Sequence, residues 1–168
     1  MKATTNSGNR VDIHDEVIEV FRAGLRGELV SSADDLYNEY RKVWNAMIDN
    51  KPALIVRCKG VSDIISSVKF AKQNDLLVSV RGGGHNVSGN AVCKDGIMID
   101  LGSMNSIRVD PARRTAHCEP GATWDDFDHE THTFGLATTG GVIPSTGIAG
   151  LTLGGGMGWL MRRYGLSS

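Results

Sequence analysis

Three glycines in a row, Gly82, Gly83 and Gly84, constrain this chain more than any other feature of it. Glycine loses more backbone freedom on ordering than any other residue. A run of three persists where the chain must turn with φ > 0 or bring bare backbone against a ligand. The run follows a β-branched stretch at residues 77–80 and Arg81, and leads into His85, Asn86, Ser88 and Gly89. Consecutive exposed N–H groups form an anion-binding concavity, and Arg81 adds a fixed positive charge at its entrance. The residues read as a pyrophosphate cradle with an imidazole beside it. The alternative, for this loop alone, is a glycine-rich hairpin turn with a bystander histidine. Two familiar phosphate loops do not fit. A P-loop ends in Gly-Lys-Ser/Thr, whereas Asn90 and Ala91 follow Gly89. A Rossmann fingerprint needs a third glycine where Val87 stands.

Residues 140–158 form a second run, Gly-Gly-Val-Ile-Pro-Ser-Thr-Gly-Ile-Ala-Gly-Leu-Thr-Leu-Gly-Gly-Gly-Met-Gly. Flexible glycine linkers are Ser-rich and polar. Here glycine is interleaved with Ile, Leu and Val, as in backbone packed tightly against something flat and large.

The 168 residues allow one domain with a real core. A formal net charge of −1 points away from nucleic acid and from anionic membranes. No apolar run approaches the roughly 20 residues of a membrane-spanning helix. Residues 1–10 are polar, lack the apolar core of a signal peptide, and are expected to form a loose tail. Cys58, Cys93 and Cys118 are odd in number and widely spaced. That fits reduced thiols and a cytoplasmic location better than a disulfide framework.

Residues 11–29 read as an amphipathic helical segment, with Val17, Ile18, Phe21 and Leu25 at helical spacing. Ser31 or Ser32 could cap a second helix with Leu36, Tyr40, Val43 and Trp44 as its core stripe. Pro52 breaks that pattern, and residues 53–58 read as a buried strand. Ser62 can cap a helix whose Ile64, Ile65, Val68, Phe70 and Ala71 face inward, followed by the strand at 77–80. Strand, helix, strand predicts a parallel βαβ unit. The glycine loop then leaves a strand's carboxyl end, where ligands commonly bind in α/β units. Residues 97–101 form another strand. Residues 107–109 and 115–118 are expected to pair across a turn at 110–113, with Pro111 at its first central position. Thr123 caps a short helix, and Asp126 approximates a capping box. His129 and His132, near that helix's end, read as solvent-exposed rather than as a metal pair, and no metal site is predicted.

The segments at 52–58, 81–86, 96–102, 121–124, 154–158 and 163–165, in this order, resemble the flavin-binding domain of the vanillyl-alcohol oxidase / p-cresol methylhydroxylase (PCMH) family. The branch they resemble is that of the berberine-bridge-like FAD-linked oxidases, and the resemblance covers residues 44–166. It implies an α+β (α/β) fold of PCMH type: a small parallel βαβ subdomain plus a second, mainly antiparallel subdomain with flanking helices. Residues 1–45 would be an N-terminal tail and helices, and residues 46–168 the flavin-binding domain. The implied cofactor is FAD. Arg81, Gly82, Gly83, Gly84, His85, Asn86, Ser88 and Gly89 would wrap its pyrophosphate, and His85 would bond through its ring to the 8α-methyl of the isoalloxazine; the alternative for His85 is a hydrogen-bonding loop residue, as in family relatives that hold FAD noncovalently. A neutral imidazole is a competent nucleophile, and the substituent it becomes withdraws electrons, raising the flavin's reduction potential. Thr139, Gly140, Gly141, Val142, Ser145, Thr146, Gly147 and Gly150 would contact the isoalloxazine and ribityl chain, with Gly154 to Gly156 allowing close packing behind. Many members carry a second covalent link from a cysteine before a proline. Ile143 precedes Pro144 here, so attachment through a single residue is expected.

The sequence ends at Ser168, ahead of the family's remaining strands, its substrate domain and its catalytic bases, so a truncated domain is expected. Tyr37, Tyr40 and Tyr164 read as core or surface residues rather than substitutes for those bases. The resemblance implies an FAD-dependent oxidoreductase passing hydride from an alcohol, sugar or amine, with the small-molecule substrate bound through the absent C-terminal region. Two alternatives stand beside it. One is a flavin-binding module without turnover. The other is a remnant without flavin, whose open sheet edges and apolar surface favour a homodimer.

Overall fold

The computed structural model describes residues 1–168. The chain divides into two units, residues 1–81 with 86–103, and residues 82–85 with 104–168.

In the first unit, β1 (Lys2–Thr4) pairs antiparallel with β2 (Arg10–Asp12), followed by α1 (Asp15–Ala23). The expected loose tail is therefore a strand with Ala3 fully buried, and the long helix expected over 11–29 is cut down to α1. Leu25 lies beyond it, Val17 faces solvent, and Ile18 and Phe21 point inward. The next element is β3 (Glu28–Val30), an edge strand. The expected second helix shrinks to α2 (Tyr37–Tyr40), capped by neither serine side chain. Ser31 instead closes a turn, its N–H and hydroxyl both donating to Asp34 Oδ2. Leu36 and Trp44 are exposed, while Tyr37 is buried and donates to the Pro52 carbonyl at 2.7 Å.

The sheet continues with β4 (Leu54–Arg57), then α3 (Val61–Gln73), β5 (Val78–Arg81) and β6 (Ile97–Asp100). Its order is β3-β4-β6-β5, with β4 and β5 both parallel to β6 and β3 antiparallel at the edge. The parallel strand–helix–strand is thus present, but β6 is inserted between its two strands. β4 and β6 are buried along nearly their whole length, which is why they read as unbroken apolar runs. The edge strand β5 instead alternates. Its buried position is Ser79, whose hydroxyl accepts the Cys93 amide at 3.0 Å, while Val78 and Val80 are exposed.

The inner face of α3 also departs from expectation. Phe70 and Ala71 face inward as expected, with Phe70 stacked on Phe21 at 4.0 Å between ring centroids. Ile65 and Val68 are exposed. Their places are taken by Ser67 and Asp63, and N-cap Gly60 makes no side-chain cap, so Ser62 is not the cap. The Asp63 carboxylate, 1% exposed, accepts the amides of Arg26, Gly27 and Lys59 at 2.9–3.0 Å. A buried charge is tolerated when it is hydrogen-bonded this fully.

In the second unit, β7 (Ile107–Asp110) and β8 (Thr115–Cys118) form the expected antiparallel hairpin. α4 (Trp124–His132) starts at a complete capping box between Thr123 and Asp126. Two short helices follow, α5 (Ile148–Leu153) and α6 (Met161–Tyr164). Ala122, Trp124, Phe127 and Ile148 make the core, with Ile107, Ala116, Cys118 and Leu151 packed around it.

Candidate functional site

The second unit brings the two glycine runs together backbone to backbone. A Cβ added at Gly83 would lie 2.5 Å from both the Cα and the N of Gly147, and one at Gly147 would lie 2.5 Å from the Gly83 nitrogen. Gly82 is equally confined, with the Pro120 carbonyl oxygen 2.7 Å from its added Cβ. Gly84 has φ +70°, the left-handed region that glycine enters freely. No side chain could occupy this seam.

The second run is held against the start of α4. The Trp124 amide donates to the Thr146 carbonyl and the Asp125 amide to the Pro144 carbonyl, both at 3.0 Å. The Ile148 amide returns to the Ala122 carbonyl at 3.0 Å. Gly140 and Gly141 lie on the buried Trp124 indole, where an added Cβ would run into ring atoms at 2.7 and 3.0 Å. Gly158 abuts the Gly140 backbone in turn. The Thr139 hydroxyl donates to the Leu166 carbonyl at 3.1 Å. Gly150, within α5, has open space where a side chain would stand.

Against this seam His85 is half-buried, with Nε2 3.5 Å from Ser145 Oγ. The amides of Gly82, Gly83, Gly84, Gly140, Gly141 and Val142 are not taken up in the backbone hydrogen bonds of the turns, loops and caps. Trp124 Nε1 is likewise buried without an acceptor. A cavity of about 310 Å³ borders Trp124, Gly140, Gly141, Asp128, His132 and Trp159. Burial, and secondarily Asp125, raises the Asp128 carboxyl above its ordinary value. Backbone free of side chains, beside a cavity bordered by the Trp124 indole, suits an anionic diphosphate and a flat ring system. Ile143 is exposed hydrocarbon and carries no group for a second bond.

The remaining loop residues belong to the first unit. Asn86 turns the chain, its Oδ1 accepting the Asn90 amide at 2.9 Å and its carbonyl the Gly89 amide at 3.1 Å. Gly89 has φ +78° and packs on Ile48, and Ser88 is exposed. Arg81 ends β5 with its side chain engaged within the chain. Its guanidinium meets both oxygens of Asp100 and donates to the Lys42 carbonyl, so its charge is neutralised within the chain. Arg81 is thereby fixed at the end of β5. Sequence reasoning missed Asp100 and the packing role of Trp124. The signal for the first was an aspartate closing the otherwise apolar strand Ile-Met-Ile-Asp.

The fold is that of PCMH-type FAD-binding domains, solved structures of which align with 85–90% of the chain. A family profile described as FAD binding domain matches residues 52–168. The chain belongs to that family, among the berberine-bridge-like and 6-hydroxynicotine oxidase members. It is 39% identical over 144 residues to (R)-6-hydroxynicotine oxidase of Paenarthrobacter nicotinovorans, covering 86% of this chain and 31% of that protein. Among solved structures, a variant of BBE-like 1 from Physcomitrella patens aligns with TM-score 0.83 and 25% identity, over 90% of this chain and 33% of its own. Phl p 4, a grass pollen allergen with glucose dehydrogenase activity, aligns with TM-score 0.83 and 26% identity, over 90% and 34%. The chain thus spans about a third of the length of the relatives it matches.

Proposed function

We propose that this chain is the FAD-binding part of an FAD-linked oxidoreductase, with FAD attached covalently through His85. The observation that carries the reading is the contact between Gly83 and Gly147, which brings His85 beside Ser145. Bound FAD supplies the hydride acceptor. The chain's own residues hold it. Amides of Gly82, Gly83 and Gly84 receive the diphosphate, and Gly140, Gly141, Val142, Ser145, Thr146 and Gly147 line the ring system. His85 offers a ring nitrogen, and Ile143 restricts attachment to that single residue. The donor is a small alcohol, sugar or amine. A relative named for 6-hydroxynicotine and a neighbour with glucose dehydrogenase activity support that range. Donor-binding groups come from polypeptide corresponding to the other two-thirds of the relatives. Three free thiols support a reducing, cytosolic setting.

The test is flavin content. Purified protein is expected to be yellow, with flavin fluorescence remaining on the denatured band and absent from it in His85→Ala. Colour that survives denaturation in His85→Ala defeats the attachment site, and colourless wild-type protein defeats the reading. Flavin that binds but is never bleached by any donor makes this chain a binding module without turnover.

A further inference from the structure

Pairing across the parallel strands sets Arg57, Asp100 and Arg81 in one row at their carboxyl ends, with Asp100 in the middle. Asp100 is 1% exposed. Its Oδ1 accepts Arg81 Nε at 3.0 Å and the Gly102 amide at 3.1 Å, and its Oδ2 accepts Arg81 Nη2 at 2.8 Å. On the other side, Arg57 Nε lies 3.5 Å from Oδ2, while its guanidinium stacks on Tyr40 and pairs with Glu28. Two arginines face two carboxylates, so the row keeps no net charge for an anion.

Desolvation offsets much of the Coulomb energy of a buried ion pair, so such a pair is weak evidence for stability. A bidentate guanidinium–carboxylate contact does fix orientation. Arg81 is held through its side chain by Asp100 and through its carbonyl by the Leu101 amide at 2.8 Å. The next three residues have no side chain by which they could be held. Arg81 is the last side chain before them.

We propose that Asp100 is a positioning residue for the flavin cradle. By clamping Arg81 through both carboxylate oxygens it sets the direction in which the glycine run leaves β5, and so the presentation of its amides to the diphosphate. This rests on the flavin-binding reading above. Arg81 acts through geometry and is not a phosphate partner.

The test is an FAD titration in a His85→Ala background, where binding is reversible, with thermal unfolding recorded alongside. Asp100→Asn keeps the volume but removes the charge and turns one acceptor into a donor. Arg81→Lys keeps the charge and loses the fork. Each is expected to weaken FAD binding by about tenfold or more. The double variant should bind no more weakly than the worse single one, because both break one contact. Arg57→Lys, on the far side of the same carboxylate, is expected to stay within about twofold. Retained affinity in Arg81→Lys with increased affinity in Asp100→Asn would mark Arg81 as a phosphate-facing cation and overturn the proposal. Affinity that merely follows Tm across all variants, Arg57→Lys included, also overturns it. Should Asp100→Asn not fold, the contrast between Arg81→Lys and Arg57→Lys decides. Wild-type flavin content is read separately: its absence removes the flavin reading and this inference together. Flavin present, with undiminished binding in the variants, removes this inference alone.

Discussion

Replacing Gly83 by alanine tests the seam on which the site depends. The added Cβ would lie 2.5 Å from two backbone atoms of Gly147. Relaxed carbon contacts need about 3.5 Å, so the two segments must part by about 1 Å. Neither partner atom belongs to a side chain that could swing away, and Gly83 is not among the glycines with positive φ, so alanine brings no conformational strain of its own. Overpacking of this kind costs about 1–3 kcal/mol, and a rigid backbone partner places it in the upper half, about 2–3 kcal/mol. For a chain of this size that lowers Tm by about 4–12 °C. Gly150→Ala is the internal contrast. It has open space and sits in a helix, so alanine should stabilise the flavin-free chain by about 0.5–1 kcal/mol. Thermal unfolding of both variants, with flavin content as a second reading, checks the argument. A Gly83→Ala protein as stable as wild type and normally loaded with flavin would refute it.

Asp63→Asn leaves at least one of three donor amides facing an N–H, whichever way the side chain turns, and should cost about 2–3 kcal/mol in denaturant titration. Thr123→Ala removes the α4 cap and should cost about 1 kcal/mol at neutral pH. Hydrogen bonds from the Thr123 side chain and then its backbone hold the Asp126 carboxyl below its ordinary 3.8. That stabilisation is present above 3.8 and is lost as pH falls through the folded value, so the gap between wild type and Thr123→Ala should narrow in acid to the part held by the Asp126 amide on Thr123 Oγ1. Burial, with a smaller contribution from Asp63, pushes the Cys58 thiol from 9.0 to about 11. The unfolded thiol then loses its proton first, and stability should fall as pH rises from 9.0 to 11. In a labelling time course half-buried Cys118 should react ahead of Cys58 and Cys93, which are buried and open only on unfolding.

Features encoded over a few residues were legible in the sequence alone. The hairpin of β7 and β8 follows from two β-prone runs around Pro111, and the start of α4 from Thr123 with Asp126 three residues on. The glycine runs announced bare backbone, because no other residue tolerates that density at so little steric cost. Tertiary structure decided what joins distant positions. β6 enters between β4 and β5, since pairing order depends on packing and leaves no trace in local periodicity. Met1 to Arg10 looked like a tail because Ala3 is buried only once β1 has found β2. α3 turns Asp63 inward because the amides that satisfy it, from residues 26, 27 and 59, converge only in the folded chain. Arg81 reads as a charge at the loop entrance, and only the folded chain sets Asp100 beside it. That Gly83 touches Gly147 could be read from neither run alone, since a contact between two backbones has no side chain to signal it.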